Sequence, residues 1–316
     1  MPEKKTIAVT GATGAQGGGL VHAILADPQG EYAARAITRH PGSDKARALA
    51  AAGAEVVQAD LDDEPSLERA FAGAHGAYCV TNFWEHFSPE KELAQAANLA
   101  RAAKAAQLQH VIWSTLEDTR KFVPLDSDQM PTLRGKWKVP HFDGKGEADH
   151  FFHEAGTPTT FFLPSFYWDN FIHFGSGPQR MPDGSLALVF PLDDRRMAGI
   201  AAADIGKCAY GIFKAGQEHV GKTVGVAGGH LTGAEMAADL SRALGKPIGY
   251  NAVTPEFYRG LGFPGADDLG NMFQFYRDFE DYFQQSRDVA LARKLNPELQ
   301  GFDTWLGQHR GEIPVP

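Results

Sequence analysis

Through the first half of the chain, short runs rich in Val, Ile, Thr and aromatic residues alternate with longer Ala-rich stretches, the rhythm of βα units winding a parallel sheet. Residues 6–10, 35–38, 55–58, 77–80, 110–114 and 159–163 predict six successive strands, with helices predicted over 17–25, 45–52, 66–71, 90–106 and 144–155. Six strands with helical crossovers make a doubly wound nucleotide fold. Such a sheet takes its ligand at the carboxyl ends of the strands where the winding reverses, so residues just past those ends are the first candidates for function.

The rhythm breaks at residues 120–140, where Pro124, Pro131 and Pro140 predict a loop beside the site. From residue 166 it loosens into aromatic segments, a Gly-rich strand near 223–226, and helices over 232–244 and about 267–283. The expected fold class is therefore α/β: a Rossmann-type doubly wound parallel sheet with helices on both faces, plus a smaller mixed α/β C-terminal domain. The expected division is 1–165 for nucleotide binding and 166–316 for the smaller domain, with room for some later strands to return to the main sheet. Leu269, Met272, Phe275, Tyr276, Phe279, Tyr282 and Phe283 recur at helical spacing, which favours core over a protein-contact face.

Composition narrows the function classes. Of 316 residues 43% are hydrophobic and 22% charged, which fits a globular chain and neither a disordered nor a membrane protein. No apolar run reaches the roughly 18–20 residues a bilayer span needs. The opening residues carry no secretory h-region, so a cytoplasmic location is expected. Two cysteines, Cys79 and Cys208, are too few for a disulfide framework. Lys and Arg number 30 against 39 Asp and Glu, a net charge of -9, which disfavours direct nucleic-acid binding.

The chemistry starts directly after the first strand, at Gly11, Ala12, Thr13, Gly14, Ala15, Gln16 and Gly17. This Gly-x-x-Gly-x-x-Gly run opens a helix, where glycines let a pyrophosphate approach the helix N-terminal amides; the alternative is a purely conformational turn. NAD-binding folds place an acid about 20 residues on, for the ribose 2′-hydroxyl. Here Arg39 stands at that point, which suits a 2′-phosphate and implies NADP(H), against the alternative of a solvated surface arginine. Asp60 and Leu61 end the third strand, where they can flank the adenine. Thr81, Asn82 and Phe83 end the fourth, along the path of the nicotinamide ribose.

These residues resemble the short-chain dehydrogenase/reductases and, within them, the NmrA-like family, with a particular likeness to its HSCARG-type NADPH sensors. The resemblance is carried in order along the chain by TGATGAQGG at 10–18, TRHP at 38–41, VTNFWE at 80–85, HFDGKGE at 141–147 and LGFPGADDLGNMFQFY at 261–276. It implies cofactor contacts from the glycine loop, Arg39, Asp60, Leu61, Thr81, Asn82, Phe83, Lys145, Tyr167 and Asn170. A lysine it would place on the helix after VTNFWE is missing, since position 94 is alanine. It further implies a regulatory protein whose NADP(H) occupancy alters conformation, self-association as a homodimer, or binding to a protein partner; the 120–140 loop, expected beside the nicotinamide end, is the candidate switch.

Short-chain reductases work through a Tyr-x-x-x-Lys pair. Lys145 is present, but His141 stands four residues before it instead of tyrosine. Ser114 matches the substrate-polarising hydroxyl, its alternative being a cap, and Tyr167 is a substitute proton donor or a stacking wall. With the dedicated donor missing, binding with little or no turnover is the expected behaviour. The alternative is an NADPH-dependent reductase of quinones or similar small electrophiles, with Lys145, His141, Ser114 and Tyr167 as catalytic candidates. No metal site is expected: His150 and His153 lie among mixed charges that suit a solvated face. Trp84 and Trp168 are expected to wall the pocket, and Trp113 and Cys79 to lie in the core.

Overall fold

In the computed structural model, which describes residues 3–316, thirteen strands divide among one large and two small sheets. In chain order they are β1 (Lys5–Val9), β2 (Tyr32–Thr38), β3 (Glu55–Gln58), β4 (Gly76–Cys79), β5 (His110–Ser114), β6 (Thr159–Leu163), β7 (Phe166–Tyr167), β8 (Gln179–Arg180), β9 (Leu186–Phe190), β10 (Arg196–Ile200), β11 (Thr223–Gly225), β12 (Gly229–Thr232) and β13 (Ile248–Ala252). The large sheet runs β3-β2-β1-β4-β5-β6-β11, every pair parallel. Its middle strands are buried on both faces, which is why they read as apolar runs rather than alternating ones. The winding goes outward from β1 to β3 and then returns to β4, so the β1/β4 junction is the switch point.

Six helices belong to these crossovers: α1 (Ala15–Leu25), α2 (Asp44–Ala51), α3 (Glu64–Phe71), α4 (Phe83–His86), α5 (Pro89–Ala105) and α6 (Pro140–Ala155). α7 (Asn170–His173) and α8 (Ala202–Lys214) follow, and α8 packs on α1 so closely that a Cβ on Gly206 would fall 2.2 Å from the Gly19 backbone. The seventh strand of the sheet, β11, and one of its covering helices, α8, thus come from beyond residue 166.

α6 begins at Pro140, four residues ahead of the expected start. Pro140 sits at the first turn, where no N–H is needed. Two glycines that weaken the helical pattern are there for clearance: a Cβ on Gly146 would lie 2.3 Å from the Asp118 amide, and one on Gly144 would lie 3.3 Å from Pro89. The helix expected over 267–283 breaks at Phe279 into α11 (Ala266–Asp278) and a short helix Glu280–Gln285, after α9 (Gly233–Leu244) and α10 (Pro255–Arg259). Met272, Phe275, Tyr276 and Phe283 of its stripe are buried in an aromatic core shared with the small sheets.

The 120–140 segment is irregular but firmly tied. Lys138 is buried with its ammonium on the Ser127 and Met130 carbonyls, Asn271 of α11 donates to the Pro131 carbonyl, and Arg120 lies over the Trp137 ring. So many anchors make this segment a poor order–disorder switch. No helix among the described residues is long and apolar enough to cross a membrane.

Candidate dinucleotide site at the β1/β4 crevice

Gly11 takes φ +59°, a left-handed turn that brings the Gly14 amide to the Gly11 carbonyl at 2.9 Å. A Cβ on Gly17 would stand 2.5 Å from that same carbonyl and 2.6 Å from that of Thr10, so glycine is what lets α1 sit against the end of β1. Thr10 fastens the crevice floor: its hydroxyl accepts from the Val80 amide at 2.8 Å. Gly14 is the N-cap, and no side chain caps α1. The first-turn amides of Ala15, Gln16 and Gly17 have no carbonyl one turn back, which leaves an anion cradle at the positive end of the helix. Ala12 is buried beneath the loop and Thr13 half-buried along it. This cradle fits the pyrophosphate of a dinucleotide.

Arg39 emerges just past β2, on the β2 side of the crevice. Its guanidinium grips Glu85 of α4 with two parallel bonds of 2.6 and 3.0 Å, both side chains about half exposed. The pairing holds the Glu85 carboxyl below its usual range. Asp60 accepts the Asp62 amide, and the Leu61 carbonyl accepts from Asn98 of α5 at 2.8 Å, so the strand end is pinned by the neighbouring helix. Lys91, the lysine that α5 does offer nearby, pairs with Asp62 at 2.9 Å. Asn82 is exposed at the N-cap of α4 without a side-chain partner there, and Phe83 is buried below Trp84.

Lys145 is buried and fully engaged. Its ammonium donates to Thr81 Oγ1 at 2.6 Å and the Thr81 carbonyl at 3.2 Å, and meets Glu92 Oε1 at 2.5 Å. Those three partners match the three protons of an ammonium. Glu92 has no exposed surface; Thr81 Oγ1 donates to it at 2.6 Å, and His86 Nε2 lies 3.6 Å from its other oxygen.

One turn earlier on α6, and so on the same face, His141 is held by Asp268 of α11. Asp268 Oδ1 lies 2.5 Å from Nδ1 and Oδ2 accepts the His141 amide at 3.2 Å, which puts the ring proton on Nδ1. Among the described residues no polar group pairs with Nε2, and the ring rests against Trp84 at 4.8 Å.

A second cluster gathers around Gln16. Its amide nitrogen donates to the Tyr167 hydroxyl, while its carbonyl oxygen accepts from the hydroxyls of Tyr78 and Ser114, the last at 2.8 Å. Burial pushes the Tyr167 phenol up to about 12, so it keeps its proton. Ser114 and Tyr167 are thus brought together through the glycine loop. Asn170 heads α7, half-buried, with bonds only from its carbonyl.

Trp168 does not wall the pocket. It is 1% exposed and packs on Phe302, with Gly199 and Gly228 leaving room for its indole. Trp84 does face the site, Trp113 stacks on Phe152 inside the core, and Cys79 is a buried thiol pushed up by burial. His153 stacks on Phe161, and His150 turns to the Glu147 carbonyl. Among the described residues no three His, Cys, Asp or Glu side chains are grouped to hold a metal ion.

Glu85, Glu92, Asp268 and Tyr78 are the members that sequence reasoning missed. Glu85 and Asp268 do lie inside the VTNFWE and LGFPGADDLGN segments, the only local signal that pointed toward them.

The chain is similar to known proteins over most of its length. The oxidoreductase lnbB of Aspergillus flavus is 27% identical, covering 92% of this chain and 90% of the relative. FrzB of a Cladobotryum species, also named an oxidoreductase, is 31% identical over 85% and 83%. Structures of NmrA, described as a negative transcriptional regulator, superpose with a TM-score of 0.78 in complexes with NADP (25% identical, 97% of this chain, 95% of that one) and with NAD (26%, same coverage). The NmrA-like family profile matches residues 3–306. With the parallel sheet, the glycine cradle and the switch-point crevice all in place, the chain belongs to the NmrA-like family of NAD(P)-binding proteins.

Proposed function

We propose that this chain is an NADP(H)-binding regulatory protein, one whose output is a change in its own state upon cofactor binding rather than a reduced product. One observation carries the reading: the two members of the reductase pair are both diverted while the binding parts are intact. His141 occupies the tyrosine position, and Lys145 has its three protons committed to Thr81 and Glu92, with none aimed at a ribose. A lysine so neutralised is poorly placed to depress a neighbouring phenol or orient a sugar.

In this reading the amides of Ala15, Gln16 and Gly17 hold the pyrophosphate, Arg39 the 2′-phosphate, Asp60 and Leu61 flank the adenine, and Asn82, Phe83, Tyr167 and Asn170 line the nicotinamide end. When bound, the cofactor supplies a nicotinamide able to accept or give hydride. A route for signalling is available: Trp84 follows Phe83 at the crevice, touches His141, and stands where a Cβ on Gly265, at the head of α11, would be 3.0 Å away. A homodimer or a protein partner is the natural recipient of that signal.

Calorimetric titration with NADPH and NADP+, beside NADPH consumption against a quinone panel, tests the proposal. Binding weakened by about tenfold or more in Arg39→Ala, with no consumption above background, supports it. Turnover that depends on His141 overturns it.

The open Nε2 of His141, opposite the Asp268 carboxylate, favours a second reading as a reductase of quinones or similar electrophiles, in line with the oxidoreductase names of lnbB and FrzB. A histidine held at Nδ1 by a buried carboxylate can accept a proton at Nε2 and, as the imidazolium, donate it.

A further inference from the structure

The acid usual at the end of β2 is replaced by Arg39, yet an acid is present at that place all the same. Glu85 reaches it from α4, 46 residues along the chain, and takes the Nη1 and Nη2 end of the guanidinium that a phosphate would use. Carboxylate and phosphate oxygens compete for that end, and a phosphate held instead on the remaining Nε edge would still lie beside the Glu85 carboxylate. Nothing structural demands the pair: both side chains are about half exposed, and neither supports a buried neighbour through its charge. From this geometry we infer that Glu85 is an internal competitor for the 2′-phosphate subsite, a residue that sets both the strength of NADP(H) binding and its margin over NAD(H). The inference rests on the NADP(H) reading above.

The physical argument is a difference between two bound states. A cofactor with a 2′-phosphate must displace Glu85 from Arg39 or share the guanidinium with it, and either way it leaves two anions near each other. A cofactor with a free 2′-hydroxyl leaves the pair intact, and its hydroxyl can donate to the carboxylate. Glu85 therefore penalises the phosphate form and tolerates the hydroxyl form. It lowers the discrimination that Arg39 alone would give. Because Glu85 sits on the turn that also carries Trp84, its release from Arg39 is an event that only the phosphate form produces. Such a differential contact is what any cofactor-specific response requires.

Calorimetry on the full chain with adenosine 2′,5′-bisphosphate, adenosine 5′-monophosphate, NADP+ and NAD+ tests this, using wild type, Glu85→Gln, Glu85→Ala and Arg39→Ala. An exposed ion pair has modest strength, so loss of the competitor is expected to tighten the two 2′-phosphate ligands by about three- to tenfold. Adenosine 5′-monophosphate and NAD+, which both carry a free 2′-hydroxyl, should bind equally or more weakly. If both Glu85 variants bind the 2′-phosphate ligands no better than wild type, while Arg39→Ala still loses them, the competitor role is wrong and the NADP(H) reading stands. If Arg39→Ala fails to lower 2′-phosphate binding, that reading itself falls and takes the competitor with it. Glu85 is at the surface, so the variants should keep the wild-type melting temperature. Two different side chains guard against a local folding defect in either one.

Discussion

Asp268 on α11 holds the Nδ1 of His141 on α6 at 2.5 Å across 127 residues of chain, joining a helix of the chain's last quarter to the face of α6 that carries Lys145. The same carboxylate accepts the His141 amide, so it satisfies two donors at once in a buried place. Asp268→Ala leaves both donors unpaired and is expected to destabilise the protein by about 2–3 kcal/mol in urea denaturation. Asp268→Asn keeps an acceptor and should lose clearly less. Equal losses in the two variants would mean that the packing of α11, not this pair, is what matters.

Lys145 and Glu92 form a buried pair whose halves cannot be removed singly without leaving an uncompensated charge. Lys145→Met and Glu92→Leu are each expected to cost on the order of 3–5 kcal/mol, and the double variant less than the sum. Chemical denaturation of the four proteins in a double-mutant cycle measures the coupling. An additive cycle would show that the two side chains act independently.

Gly17 marks the closest approach of α1 to the end of β1. Gly17→Ala forces a Cβ to within 2.5 Å of the Gly11 carbonyl, which must push the helix start away and spoil the cradle. NADPH binding should fall by at least an order of magnitude, with a loss of about 1–3 kcal/mol in stability. Gly42→Ala, where a Cβ meets nothing within 4 Å, is the matching control and should leave both unchanged. Comparable binding by the two variants would remove the glycine loop from the cofactor site.

Burial pushes the Asp149 carboxyl up to about 7, although Trp113 and Thr115 both donate to Oδ1. Between roughly pH 4 and pH 7 the folded chain therefore holds a proton that the unfolded chain releases. This contribution to stability is complete below the unfolded value and is lost as pH rises through 7. Asp149→Asn retains an acceptor for both donors and cannot ionise. Its stability relative to wild type should improve between pH 5 and pH 8, by on the order of 2 kcal/mol. Parallel pH profiles for the two proteins would show that Asp149 is ionised throughout.

How far the sequence led can be followed strand by strand. β4, β5 and β6 are readable because a parallel strand buried on both faces is a largely apolar run, and β1 to β3, less buried, because their β-branched residues fall between helical stretches, both local signatures. β11 was seen as a strand, but only its pairing with β6 at Thr223↔Phe161 puts it in the main sheet, and no local pattern records that register. The start of α6 was hidden because Gly144 and Gly146 answer to Pro89 and Asp118, residues outside the helix. Trp168 is expected at the pocket because its neighbour Tyr167 is there, but it lies in the turn just past β7, which directs its indole into the core against Phe302.

By itself, then, the sequence determined the α/β class, the glycine cradle and the placing of Arg39 past β2, because each depends on residues close together along one element. Tertiary structure decided what those groups do next. It set Glu85 against Arg39, Glu92 against Lys145, Asp268 against His141, and Tyr78 and Ser114 around Gln16. The charges and hydroxyls of the site are balanced between elements that meet only when the sheet winds. The state of each group therefore depends on a partner 46, 53, 127, 62 or 98 positions away.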